Sequence, residues 1–130
     1  MPGDTLGGMT IEERNGFRVQ RLDDDGPLIS SDSDTSDLFG NAWYAKVDLL
    51  VIPTSRLDRS FFDLSSRHAG EVLRKAVNYG VRLAVVGDIT RDLAKSEALA
   101  DFVWEANRGD HVWFLPDDAA VEARLLARES

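Results

Sequence analysis

Apolar residues recur along this chain at two different periods, and the periods alternate. Leu49-Leu50-Val51-Ile52, Val81–Val86 and His111–Leu115 are continuous runs, the pattern of strands buried on both faces. Each is closed by a breaker: Pro53, Gly87-Asp88 and Pro116. Between and after them the spacing turns helical. Ala69, Val72, Leu73, Ala76 and Val77 mark one face, ended by Gly80 as a left-handed C-cap. Leu99, Phe102, Val103 and Ala106 mark a second, stopped by Gly109, and Asp117 or Asp118 caps a third through Val121 and Leu125.

Upstream, Asn15-Gly16 between two short runs predicts a tight hairpin turn. Leu22 to Ser36 is rich in Asp, Ser, Gly and Pro and reads as a loop or a short edge segment, with only Leu28 and Ile29 to bury. Ser36 or Asp37 is then expected to cap a helix carrying Leu38, Phe39, Ala42 and Trp43. The order predicts one α/β domain over residues 9–130: an N-terminal β-hairpin plus three parallel strands with crossover helices. Residues 1–8, polar and Gly-rich, are expected to form a flexible leader.

Charge and composition narrow the function. The 130 residues include 23 acidic and 15 basic side chains, a net charge of −8. Such a surface repels phosphate backbones, so neither nucleic acid nor an anionic membrane is an expected partner. With no cysteine, disulfides, thiolate zinc sites and cysteine nucleophiles are excluded. Met1 to Gly8 has neither a basic region nor an apolar stretch, so a cytoplasmic location is expected.

Several segments carry a family resemblance. They are Asn41-Ala42-Trp43-Tyr44, Leu57-Asp58, Phe61-Phe62-Asp63-Leu64, Ala69-Gly70-Glu71, Asn78-Tyr79, Val86-Gly87-Asp88 and Glu105-Ala106-Asn107-Arg108-Gly109. In this order they resemble domain-of-unknown-function family 4180, a likeness that fixes identity better than function. The element order also resembles the STAS fold of anti-sigma-factor antagonists, which implies a switch protein acting through a partner. STAS switch proteins carry Asp-Ser-Ser-Gly at a strand-to-helix junction, with one serine phosphorylated by a partner kinase. The matching place here reads Asp63-Leu64-Ser65-Ser66-Arg67, with Leu64 interposed and Arg67 where a glycine is expected.

Ser65 and Ser66 precede a helix, so each is read as an N-cap or as a phosphoacceptor, with Arg67 and His68 able to hold a phosphate locally. His68 on a first helical turn is expected to face solvent, and His111 at a strand start to be structural. Trp104, off its helix stripe, is expected to cover the sheet edge, or else to anchor a partner. Asp32, Asp34 and Asp37 lack the Gly and Glu of a calcium loop, so no metal site is expected, and no cofactor motif appears. Without a nucleophile–base pair, the leading expectation is a non-catalytic regulatory or protein-binding module, working through a protein partner or self-association. The alternative is an enzyme or small-molecule binder at the carboxyl ends of the parallel strands, where Arg56, Asp88 and Arg91 lie with Thr54 and Ser55.

Overall fold

In the computed structural model of the protein, which describes residues 5–6 and 9–129, a single mixed sheet carries helices on both faces. Its strands are β1 (Thr5–Leu6), β2 (Met9–Arg14), β3 (Phe17–Leu22), β4 (Leu49–Pro53), β5 (Arg82–Val86) and β6 (Val112–Leu115), side by side in chain order. The helices are α1 (Asp32–Tyr44), α2 (His68–Tyr79), α3 (Thr90–Lys95), α4 (Glu97–Arg108) and α5 (Asp118–Glu129). Of the expected leader, residues 1–4 and 7–8 lie outside the described residues, while Thr5 and Leu6 pair with β2.

The hairpin forms where the Asn-Gly pair predicts it: Asn15 and Gly16 take φ of 52° and 84°, and Arg14 faces Phe17. From β3 onward every pairing is parallel, with Val51 beside Ala84 and Val85 beside Phe114. Alternation then sorts the strand residues by face. Leu50, Ile52, Leu83, Val85, Val112 and Phe114 meet α1, α2 and α4 in one core. Leu49, Val51, Ala84 and Trp113 meet Val121 and Leu125 of α5 in a second, smaller one.

Three sequence expectations need correction. Helix α1 begins one turn earlier than Ser36, because Ser31 and Asp34 form a reciprocal capping box. Its buried stripe is Thr35, Phe39 and Ala42, which leaves Trp43 exposed. On α2 the buried stripe is Ala69, Val72 and Ala76, with His68 at its head, and Val77 is exposed. Gly80 does close α2 in the left-handed conformation, at φ 68°. Residues 54–66 wind into 3-10 turns at Thr54–Arg56, Arg59–Phe62 and Leu64–Ser66. Leu57, Phe61 and Phe62 anchor them in the core, and Leu57 bridges to Ile29.

Candidate functional site

Two of the places where this frame presents polar groups are the ones the sequence points to: the turn between β4 and α2, and the cleft at the strand ends. The turn is built by successive carboxylate caps. Asp58 accepts the Ser60 N–H at 2.9 Å, and Asp63 accepts the Ser65 N–H at 3.1 Å. The Ser60 backbone bond, with its side chain adding to it, holds the Asp58 carboxyl below the usual carboxylate range.

The two serines divide the work. Ser66 Oγ donates to Ser60 O at 2.6 Å and accepts the His68 N–H at 3.1 Å, so it ties the turn together and takes up the first N–H of α2, whose N-cap position is Arg67. Ser65 Oγ donates to Asp63 Oδ1 at 2.6 Å, its one side-chain bond among the described residues, and both serines are exposed. Arg67 stands between Ser66 and α2 at φ 68° and ψ 2°, a conformation that favours glycine. That is the position at which the STAS pattern expects glycine. Its exposed guanidinium has no side-chain partner among the described residues.

His68 differs from expectation. It is 8 % exposed, its ring lies edge-on to Phe61 at 5.8 Å, and its Nε2 has no hydrogen-bond partner. Facing inward, it anchors the turn and leaves Arg67 as the cation next to the serines in the chain, while Arg59 and Lys95 line a pocket with Asp63 on the other side. His111, expected as structural, is exposed instead just ahead of β6.

A groove runs beside the turn, between α2 and α4. It consists of two successive pockets along these helices: the upper, about 500 Å³, is lined by Leu64, Arg67, Gly70, Glu71, Arg74 and Phe102. Its lower part, about 230 Å³, includes Leu73, Val77, Glu105, Ala106 and His111. Sequence reasoning passed over this groove. The available signal was Gly70, a glycine inside an otherwise regular helical run.

At the carboxyl ends of β3 to β6 lies a cleft of about 680 Å³, where an open α/β sheet places one. Thr54, Ser55, Arg21, Asp23, Asp117 and Asp118 are among its lining residues, whereas Arg56, Asp88 and Arg91 are not. Arg56 is buried and donates to Pro27 O at 2.8 Å and Asp23 O at 3.0 Å, bracing the loop after β3. Asp88 accepts the Thr90 hydroxyl at 2.6 Å and the Thr90 N–H at 3.0 Å, which hold its carboxyl below the usual range. Arg91 is exposed on α3. The structure therefore does not bring these three residues together around the cleft. Among the described residues no cluster of His, Cys, Asp or Glu is placed to hold a metal ion, and no helix is long and apolar enough to cross a membrane.

The fold and the turn define a mixed α/β domain with a serine-bearing strand-to-helix junction. The chain matches the family described as Domain of unknown function (DUF4180) over residues 14–125, and it belongs to that family. No curated protein and no solved structure matches it.

Proposed function

We propose that this chain is a non-catalytic regulatory module that binds a protein partner through the Leu64–His68 turn, with Ser65 as its modifiable hydroxyl. The observation that carries this reading is the division between the serines. Both are exposed, but Ser66 is held by Ser60 O and the His68 N–H, while among the described residues Ser65 is bonded only to Asp63. Modification of Ser65 thus leaves the bonds of Ser66 in place. A phosphate there adds about −1.5 to −2 charges beside Asp63, whose repulsion drives it outward toward Arg67. Neither histidine ring accepts a hydrogen bond from a serine among the described residues, which favours partner binding over nucleophilic catalysis. The likeness to STAS switch proteins points the same way as an analogy of element order and turn.

The small-molecule reading is favoured by one observation, the cleft at the strand ends. It would have to work through Arg21, Thr54 and Ser55 rather than Arg56, Asp88 and Arg91.

Four variants test the proposal: Ser65→Ala, Ser65→Asp, Ser66→Ala and Ser66→Asp, each read for melting temperature and for partner capture. The Ser65 pair should differ in capture at unchanged melting temperature. Equal capture by all four would reduce the turn to a helix cap and end the proposal.

A further inference from the structure

We propose that the groove between α2 and α4 is the docking site for an acidic amphipathic helix of a protein partner. The inference rests on the partner-binding reading above and gives that partner a chemistry. Its floor is apolar, formed by Leu64, Leu73, Phe102 and Ala106, with Val77 57 % exposed at its lower end. Exposed apolar surface between two helices, rimmed by charge, is what an incoming helix buries.

Gly70 is the second observation. A Cβ built on it meets nothing within 4 Å, so no contact inside this chain requires a glycine there. Glycine weakens a helix, and the Cβ of an alanine meets open space at this position. Its missing side chain does serve one purpose, which is to keep the groove open for close approach by another backbone.

Charge selects the occupant. Arg67 and Arg74 line the upper groove two helical turns apart, and neither has a side-chain partner among the described residues of a chain with net charge −8. Glu71 lies between them, and Glu105 and Asp110 flank the lower end. The complementary helix carries carboxylates seven residues apart, a basic or neutral residue between them, and no acidic residue at its far end. Arg67 to Val77 spans about 15 Å, or roughly three turns of such a helix. A strand is the poorer guest, because Asn107 already bonds the outward backbone of Phe114 on edge strand β6.

The groove adjoins the turn through Arg67, which belongs to both. A phosphate on Ser65 that engages Arg67 takes one of the two cations from the docking helix, so modification should weaken docking.

The test selects a display library of three-turn amphipathic helices, varied at their charged positions, against the full chain. The expected winners carry carboxylates seven residues apart. Their affinity should fall roughly tenfold or more in the Arg67→Glu, Arg74→Glu double variant and weaken as salt rises. Binding should vanish in Gly70→Leu, which fills the floor yet melts no lower than the parent. Basic winners, an absence of winners, or equal binding to the parent and Gly70→Leu would overturn the proposal. So would self-association of the chain that Gly70→Leu abolishes, since the groove would then belong to a second copy. Capture that responds to Ser65→Asp yet survives Gly70→Leu removes the groove and keeps the turn. Groove binding indifferent to Ser65→Asp keeps the groove and removes the switch.

Discussion

Asn107 on α4 bonds both outward backbone groups of Phe114 on the edge strand: its Oδ1 accepts the Phe114 N–H at 2.6 Å, and its Nδ2 donates to the Phe114 carbonyl at 3.2 Å. The carboxamide stands where another strand would pair. The edge is thus closed by Asn107 rather than by Trp104, which is exposed and stacked against Arg108 at 4.6 Å. Asn107→Ala should cost about 1–3 kcal/mol, because two polar groups lose their partners. It should also promote association through the opened edge. Thermal melts and light scattering check both effects, and an unchanged melt would contradict the bonding.

Gly87 fixes how β5 leaves the sheet. At φ 152°, a Cβ on it would stand 2.3 Å from Thr54 Oγ1. Gly87→Ala should destabilise by about 1–3 kcal/mol, from the clash and the backbone conformation together. Thr54→Ala in the same molecule should recover part of that loss and leave the backbone strain. A double-mutant cycle in urea reads the coupling, and additive effects would contradict the contact.

The serines of the turn should separate on stability alone. Ser66→Ala should cost about 1 kcal/mol, because the Ser60 carbonyl and the His68 N–H both lose their side-chain partner. Ser65→Ala should change stability by no more than about 0.5 kcal/mol, as an exposed surface substitution does. Equal losses in denaturant melts would contradict the division of roles.

Acid should act through the capping carboxylates. Asp58 is held below its ordinary range by Ser60, and Asp34 by the backbone N–H groups of Ser30 and Ser31. A lowered folded pKa means that the stabilisation is complete above the unfolded value and is lost as pH falls through the folded one. The melting gap between the parent and Asp58→Ala should therefore be widest at neutral pH and close in acid. A gap that widens as pH falls would contradict the assignment.

The buried strands and the Asn15-Gly16 hairpin were legible because a local pattern determines them: continuous apolar runs closed by Pro53, Gly87 and Pro116. The start of α1 was misplaced because Ser31, Ser36 and Asp37 are all plausible caps locally, and the Ser31–Asp34 reciprocity decides only once Thr35 and Phe39 are buried. Helix α3 went unseen, since its six residues bury no apolar stripe of their own. At the turn, Ser65 and Ser66 stand out in the sequence, but their separate roles depend on Ser60 O, which the 3-10 turns bring back to Ser66 from six residues earlier. The sequence points His68 toward solvent because an N-terminal turn has no intrinsic inward face; the 3-10 turns that bring Phe61 over it create one. The role of Arg56 likewise depends on carbonyls about thirty residues away, at Asp23 and Pro27.

The most direct measurement of the central claim is the modification state of Ser65 in the chain's own cells. Native protein is separated by size into partner-bound and free pools, and phosphate is mapped by fragmentation in each. The account predicts phosphate on Ser65 and not Ser66, with an occupancy that differs several-fold between the two pools. Phosphate on Ser66 instead, or the same Ser65 occupancy in both pools, would contradict it.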